Sequence, residues 1–318
     1  MPSITRRLAA LTIAGALLAA GCATREQASS NQTPETFEAD SQAFPVTLTP
    51  AGSEPVTIER RPERIISLSA SNTETLFAVG AGDQVVAVDQ QSDYPADAPK
   101  TDLSGLTPNV EAISGYDPDL VVVSDNPDNL VESMAAVHVP VLVVPAAATL
   151  EDVYTGFELI GKATGHADEA ADVAKRTRAG LDEIVADTPK PAKPLSYYHE
   201  LDTTLYSVTS KTFIGQIYGL FGMTNVADPA DVDAGGYPQL TNEAILAADP
   251  DLIFLADVQC CGQTADTVGS RPGWNTLKAV KNGNVVPLDD DLASRWGPRI
   301  VELAKSIADA VTKAGEQN

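Results

Sequence analysis

Apolar and polar positions alternate along the chain in two patterns. Short apolar runs, such as residues 120–123 and 252–255, lie between turn residues and are typical of buried parallel strands. Longer stretches between such runs repeat an apolar residue every three or four positions, as amphipathic helices do. The longest of them runs from Ala167 to about Asp187. This succession of strands and helices predicts an α/β fold with parallel sheets.

One helix-and-strand unit is present twice. Residues 109–123 and 241–255 share Glu, Ala, Ile, Asp, Pro, Asp and Leu at the same offsets, 132 positions apart. In each copy, Asn109 or Thr241 can cap a short helix by accepting hydrogen bonds from its first N–H groups. The proline between the two aspartates ends the helix, and the apolar strand follows. Two copies of such a unit predict two similar lobes.

The predicted elements give the folded part of the chain three segments. Residues 56–165 form an N-terminal α/β lobe and residues 191–318 form a C-terminal one. Residues 166–190 contain the longest helical pattern, about 30 Å of helix, and are predicted to join the lobes as one stiff element. The predicted fold class is therefore two doubly wound α/β lobes joined by one long backbone helix, with a ligand cleft between the lobes.

The first residues carry an export signal. Arg6 and Arg7 precede an apolar segment that is too short to span a bilayer, and the segment ends at a cysteine. This ending resembles the bacterial lipoprotein signal and predicts a signal peptide over residues 1–21 with lipidation of Cys22. Residues 22–55 are largely polar and are predicted to form a flexible tether. We therefore expect a monomer outside the cytoplasm, anchored by lipid to the outer face of the cell membrane.

Charge and composition narrow the possible functions. A formal net charge of −23 argues against a nucleic-acid partner, which requires a basic surface. Besides Cys22, only Cys260 and Cys261 occur, and in an exported protein these neighbours form either a disulfide or two free thiols. No catalytic motif is present. The three histidines are far apart in sequence and predict no metal site: His138, His166 and His199.

Polar and aromatic residues follow the predicted strands at their carboxyl ends, where open α/β sheets bind ligands. Ser71 and Glu74 also have the spacing of a helix capping box, so capping alone would explain them. His199 is the one histidine expected to face the cleft. Together these side chains favour binding of a large, flat or chelated ligand over catalysis. The predicted ligand-binding residues are Ser71, Asn72, Tyr94, Tyr198, His199, Tyr237, Trp274, Arg295 and Trp296.

Several short motifs together resemble the periplasmic binding proteins of iron-siderophore and vitamin B12 importers. They lie at residues 67–74, 92–95, 271–274 and 296–299 and in both copies of the repeat. The resemblance implies that residues 64–318 bind a small-molecule metal chelate and deliver it to an ABC permease dimer with ATPase subunits, without enzymatic activity or cofactor. In that family one glutamate on each lobe docks onto the permease, which would be Glu111 and Glu243. Their other interpretation is favourable charge at a helix N-terminus.

The motifs leave the chelate undecided between a corrinoid such as cobalamin, a ferric siderophore and haem. Asn72 and residues 92–95 are most similar to the cobalamin-binding branch, but Leu106 and its neighbours stand where that branch has a tryptophan. Arg295 would also suit an anionic siderophore or a haem propionate. Two alternatives remain: a secreted enzyme that uses a tyrosine, His199 and an acid, and a protein that captures free Zn²⁺ or Mn²⁺.

Overall fold

The computed structural model describes residues 44–233 and 235–317. The predicted signal peptide, Cys22 and most of the predicted tether lie outside these residues. No helix in the described ranges has both the length and the apolar character needed to cross a bilayer.

A five-stranded parallel sheet forms the N-terminal lobe, behind a two-stranded antiparallel hairpin. The elements are β1 (Val46–Leu48), β2 (Val56–Ile58), β3 (Ile65–Ser67), α1 (Ala70–Ala78), β4 (Val85–Asp89), β5 (Lys100–Leu103), α2 (Val110–Ser114), β6 (Leu120–Val123), α3 (Leu130–Ala135), β7 (Val141–Val143) and α4 (Leu150–Thr164). The strand order is β5-β4-β3-β6-β7, so the topology reverses between β3 and β6.

A single long helix, α5 (Ala167–Asp187), leads from this lobe to the next. It begins beyond Gly165, whose φ of 78° ends α4 in the left-handed conformation that favours glycine. The helix has the bounds that the apolar pattern predicts.

The C-terminal lobe contains a four-stranded parallel sheet. Its elements are β8 (Ser196–Glu200), α6 (Phe213–Leu220), β9 (Thr224–Asn225), α7 (Asn242–Ala248), β10 (Leu252–Leu255), α8 (Val258–Cys261), α9 (Ala265–Gly269), α10 (Lys278–Lys281), β11 (Val285–Pro287), α11 (Asp290–Ser294) and α12 (Ile300–Gly315). The order β11-β10-β8-β9 reverses between β8 and β10. Short 3-10 helices occupy Gly82–Gln84, Pro127–Asn129, Asp228–Ala230 and Trp274–Thr276.

One hydrophobic core extends through both lobes. It joins residues of the N-terminal sheet, such as Val122, to residues of the C-terminal lobe, such as Phe254, by way of α4, α5, α6 and α12. Smaller cores cover the opposite face of each sheet, around Ile113 in the first lobe and Trp274 in the second. This two-sided burial explains why the strands read as continuous apolar runs.

The two copies of the repeat fold alike. The Asn109 side chain accepts a hydrogen bond from the backbone N–H of Ala112 in α2, and Thr241 accepts the equivalent bond in α7. Asp117 and Asp249 both adopt a left-handed conformation at the helix end, with φ of 50° and 43°. The predicted fold class, two α/β lobes with parallel sheets, is confirmed.

The local structure departs from the sequence-based expectation in three places. The tether cannot extend to residue 55, because β1 pairs with β2 and Leu48 is buried. The edge strand β5 was not predicted, because its sequence Lys-Thr-Asp-Leu has almost no apolar character. Ser71 and Glu74 do not form a capping box, since α1 already begins at Ala70 and both residues lie inside it.

Candidate functional site

Segments that follow strands of one sheet contact the lobe that contains the other sheet. The segment after β11 contacts the start of α1, the helix that follows β3, through Trp296 and Ser71. On another side, Gln216 of α6 binds the backbone of Ala148 and Leu150 in the segment after β7. Contacts between the lobes thus involve segments beyond the carboxyl ends of strands in both sheets, the side on which open α/β sheets bind ligands.

Most of the large exposed apolar side chains share one position relative to the two sheets. Each lies in a segment that follows the carboxyl end of a strand, and we call the set the apolar rim: Tyr94, Leu106, Tyr206, Val232 and Tyr237. Leu106 and Val232 are 80% and 81% exposed. Among the described residues only two other large hydrophobic side chains are comparably exposed, Val137 and Leu220. Exposed apolar side chains on the side of the sheets where open α/β folds bind ligands are candidates for a binding site.

A cavity of about 240 Å³ opens at the rim between the lobes. Ala148 of the N-terminal lobe forms one wall, and Lys211, Asp231 and Tyr237 of the C-terminal lobe form others. A larger cavity of about 900 Å³ lies between the β1–β2 hairpin and α3, and no rim residue lines it.

Glu74 joins the lobes. Its carboxylate, which is almost fully buried, accepts hydrogen bonds from Arg299 Nε at 2.9 Å and Nη2 at 2.5 Å. Arg295 Nη1 donates to the same carboxylate at 3.1 Å. A Cβ atom at Gly297 would lie 2.9 Å from Glu74 Oε2, so glycine allows this close approach. The sequence signal for this contact is the pair of arginines four positions apart, which sequence reasoning did not connect with Glu74.

Arg295 is not available for an anionic ligand. It also binds Asp93 at 2.8 Å, Asp291 at 2.6 Å and the Gln91 carbonyl oxygen at 2.9 Å. Partial burial alone would raise the pKa of Asp93, but the hydrogen bond and charge of Arg295 outweigh it and lower that pKa. The positive charge that the sequence suggested for an anionic ligand is therefore already paired with three carboxylates of the protein.

Trp296 and Ser71 belong to the same interlobe contact. The Trp296 backbone N–H donates to Ser71 Oγ at 3.2 Å, and its half-buried indole meets Phe213 edge to face at 6.5 Å between ring centres. The indole Nε1 is buried without an acceptor. The structure thus brings Ser71, Arg295 and Trp296 together, and it places them against the opposite lobe.

Four other predicted ligand residues are each buried inside their own lobe: Asn72, Tyr198, His199 and Trp274. Asn72 donates to the carbonyl oxygens of Val123 and Val144 and thereby links α1 to two strands. Trp274 is fully buried beside Tyr198, with 6.0 Å between their ring centres. Tyr198 and Trp274 belong to the hydrophobic core of the C-terminal lobe, and the Asn72 amide is occupied by its hydrogen bonds to the two strands.

His199 is also buried and does not face the cleft. Its Nδ1 lies 2.9 Å from the hydroxyl of Tyr218, and its Nε2 has no partner. Burial lowers the pKa of His199 to about 3, so the ring is neutral at any pH near 7. The catalytic role in the enzyme alternative requires contact with a substrate, which this enclosed imidazole does not offer.

A buried acidic pair lies at the reversal point of the C-terminal sheet. Glu200 ends β8 and forms a bidentate ion pair with Arg271, at 2.6 and 2.5 Å. Asp257, just beyond β10, is fully buried, and no donor reaches either of its carboxylate oxygens. Burial, together with the neighbouring charge of Glu200, raises the pKa of Asp257 to about 7.

Cys260 and Cys261 end the short helix α8 at this edge, and the structure joins their sulfur atoms. Asp290 accepts hydrogen bonds from the backbone N–H groups of Val258, Gln259 and Cys260, and so fixes the helix start. Within the described residues, no group of three or more His, Cys, Asp or Glu side chains is arranged to hold a metal ion. These residues offer no site for the alternative of free Zn²⁺ or Mn²⁺ capture.

Comparison with known proteins agrees with this architecture. Residues 65–292 match the family described as periplasmic binding protein. The chain is 31% identical over 312 residues to the uncharacterized ABC transporter substrate-binding lipoprotein YvrC of Bacillus subtilis, covering 95% of each. It is 34% identical over 280 residues to a cobalamin-binding protein of Halobacterium salinarum, covering 84% of this chain and 74% of that protein.

A solved structure extends the comparison to three dimensions. A possible iron-binding (periplasmic solute-binding) protein from Staphylococcus epidermidis is 28% identical and superposes with a TM-score of 0.70, covering 79% of this chain and 99% of that one. The chain therefore belongs to the periplasmic binding protein family, among the substrate-binding proteins of ABC transporters.

Proposed function

We propose that this protein binds a metal chelate, a corrinoid of the vitamin B12 type, in the cleft between its lobes and delivers it to an ABC permease. The observation that carries the proposal is the apolar rim, which combines exposed aromatic and aliphatic side chains from both lobes. A large, flat ligand buries much of its surface against such side chains. The similarity to the cobalamin-binding protein of Halobacterium salinarum supports the same chelate.

The charges around the cleft favour a ligand without strong negative charge. Arg295 and Arg299 share Glu74, and Arg295 also binds Asp93 and Asp291. Lys211 pairs with Asp231 at 3.0 Å. An anionic catecholate or a haem propionate would have to compete with these carboxylates for the same cations, at a cost in desolvation. A neutral corrinoid would not need to compete with the carboxylates for these cations.

Delivery would depend on Glu111 and Glu243. Both carboxylates are exposed in the first turns of α2 and α7, one on each lobe. In the described part of the chain neither forms a hydrogen bond or an ion pair. They stand at equivalent places on two similar lobes, as two symmetric permease subunits would require. Each would meet an arginine of one subunit.

The remaining parts of the proposal concern location. The resemblance of the first 22 residues to a lipoprotein signal supports a mature protein outside the cytoplasm, in which Cys22 would carry the lipid and the residues after it would serve as a tether. The similarity to YvrC, which is named a lipoprotein, supports this. A binding protein anchored to the outer face of the cell membrane would remain close to its permease.

A titration panel tests the proposal. The purified protein is titrated with cyanocobalamin, haem, ferric citrate, and ferric hydroxamate and catecholate siderophores, and binding is followed by calorimetry. We expect one-to-one binding of cyanocobalamin and its recovery unchanged by chromatography. Consumption of the ligand would favour the secreted enzyme instead. Binding of Zn²⁺ at micromolar concentration, with none of the chelates bound, would refute the proposed cleft.

Matched substitutions locate the site. Tyr237→Ala shortens a rim side chain that is 44% exposed, and we expect cyanocobalamin affinity to fall by about tenfold. Val137→Ala is the control, because Val137 is 47% exposed but lies outside the rim. Equal affinity in both variants would show that the rim does not bind the ligand.

A further inference from the structure

The contact made by Glu74 has an unusual composition. One buried carboxylate from α1 lies between two guanidinium groups that come from positions 221 and 225 residues further along the chain, in the opposite lobe. Glu74 is 1% exposed at its side chain, whereas Arg295 and Arg299 are 10% and 16% exposed. Charges that are so nearly dehydrated interact strongly and depend on the geometry of every partner.

The same two arginines hold part of the apolar rim. Arg295 binds the Gln91 carbonyl oxygen and the Asp93 carboxylate in the loop after β4. The Arg299 guanidinium carbon lies 4.0 Å from the centre of the Tyr94 ring, a cation–π contact. Glu74 of the N-terminal lobe therefore orients two arginines of the C-terminal lobe. These arginines in turn fix the loop after β4, which belongs to the N-terminal lobe and faces the proposed ligand site.

That loop is also supported from within its own lobe. Ser92 Oγ donates to Asp89 at 2.6 Å and lies 2.8 Å from the hydroxyl of Thr73 on α1. Ser92 thus holds the base of the loop, and the next two residues, Asp93 and Tyr94, are contacted by the arginines. The position of Tyr94 is therefore determined across the lobe interface.

We propose that Glu74 is a positioning residue that sets the width of the cleft, by holding Arg295 and Arg299 against the rim loop of the opposite lobe. The inference rests on the proposed function only in taking the cleft as the ligand site. Glu74 itself does not face the rim. It acts through the two arginines: loss of its charge would leave the largely buried Arg299 without the carboxylate that it binds and Arg295 with Asp93 and Asp291 alone.

Glu74→Gln tests this, because it retains the shape of the side chain and removes the charge. Spin labels on Ala136→Cys and Lys281→Cys, exposed positions on the two lobes, report the interlobe distance by pulsed electron paramagnetic resonance. The protein without the two introduced cysteines is labelled in parallel. It measures the background signal from spin labels on the natural cysteines. No ligand is needed, so the result is independent of whether the chelate has been identified correctly.

The control is Glu200→Gln. Glu200 is equally buried and forms a bidentate ion pair with Arg271, but both residues belong to the C-terminal lobe. We expect Glu74→Gln to lengthen and broaden the interlobe distance distribution, while Glu200→Gln leaves it as in the unmodified protein. Thermal unfolding of both variants shows whether a loss of stability accompanies the change.

Affinity for cyanocobalamin gives the second measurement. We expect Glu74→Gln to weaken binding roughly tenfold, within the range typical of conformational coupling, mainly through faster dissociation. Arg299→Lys, which retains the charge but not the bidentate geometry, should give a smaller change in the same direction. A folded Glu74→Gln protein with an unchanged distance distribution would overturn the proposal. So would equal broadening in Glu200→Gln, which would indicate general loosening.

Discussion

Asp119 and Asp251 occupy the same place in the two copies of the repeat and make the same connection. Asp119 accepts hydrogen bonds from the backbone N–H groups of Glu63 and Arg64, at 2.9 and 2.8 Å, just before β3. Asp251 accepts from the backbone N–H and the hydroxyl of Ser196 at the start of β8, both at 2.9 Å. Each aspartate thus connects the first strand of its parallel sheet, β3 or β8, to the strand of the repeat, β6 or β10.

This role separates the repeated acids into two kinds. Asp119 and Asp251 have partners inside their own lobes, and their recurrence is explained by folding alone. Among the residues that the structure describes, Glu111 and Glu243 have none. We therefore predict that Glu111→Ala combined with Glu243→Ala leaves the fold and cyanocobalamin affinity nearly unchanged but stops uptake in cells. Truncation of a charge that is paired at an interface costs about 2–5 kcal/mol, and two such losses would abolish docking.

The control removes the same charge elsewhere. Glu183→Ala with Asp309→Ala changes exposed acids on α5 and α12, and we expect normal uptake. Circular dichroism and ligand titration accompany the transport assay. If the first double variant loses its ligand or its fold, or transports normally, the docking role is wrong.

Asp257 should make stability depend on pH. Its pKa is raised by burial from 3.8 to about 7, so between these values the folded protein retains a proton that the unfolded chain has released. The free energy of unfolding should therefore decrease as pH rises through this window. We expect Asp257→Asn to remove that decrease and to be more stable than the unmodified protein at pH 8, by about 1–4 kcal/mol.

Urea unfolding at several pH values measures this effect. Asp309→Asn, an exposed aspartate on α12, serves as the control and should follow the unmodified protein. Parallel pH profiles for the protein and for Asp257→Asn would show that Asp257 is charged in the folded state.

The adjacent cysteines should be oxidised in the exported protein. We expect alkylation to leave Cys260 and Cys261 unmodified without reductant and to label both after reduction, as read from intact mass. Both cysteines are exposed to solvent at the end of α8. If they were free thiols, the alkylating reagent would therefore reach them. Labelling of both residues in the unreduced sample would show two free thiols.

Membrane attachment should depend on one residue outside the described ranges. We predict that Cys22→Ser releases the protein from the membrane fraction, because the lipid on Cys22 is its proposed anchor. Fractionation followed by immunoblotting measures the change, with Cys260→Ser as the matched cysteine control. A variant that stays with the membrane would indicate another means of attachment.

Much of the fold could be predicted from the sequence because periodicity and end signals are local. The pattern predicted α5 over its full length, and the repeated Asp-Pro-Asp marked both strands that follow it. β5 was missed because only Leu103 of its four residues is both apolar and buried. An edge strand is fixed by pairing with its neighbour, here β4, and not by its own composition.

The site was harder to predict because its residues have tertiary partners. Glu74 has the spacing of a capping residue, and only the arrival of Arg295 and Arg299 from the other lobe shows its role. Trp274 suited a flat ligand by its chemistry, but the packing of its lobe encloses it. Tyr94 and Tyr237 were selected on the same chemistry and do reach the rim, since they lie in loops rather than beside the core.

The core shared by both lobes has a consequence for ligand release. Moving the lobes apart would expose part of the apolar surface between α4 and α6 and between α5 and α12, at about 2.5 kcal/mol for each 100 Å². Wide opening is therefore rare without an external force. If the docking proposal holds, the transporter applies that force at α2 and α7, the two places where it contacts the lobes. The timing of ligand release is then set by the ATP-driven cycle of the transporter. The binding protein contributes only the free-energy cost of separating its lobes.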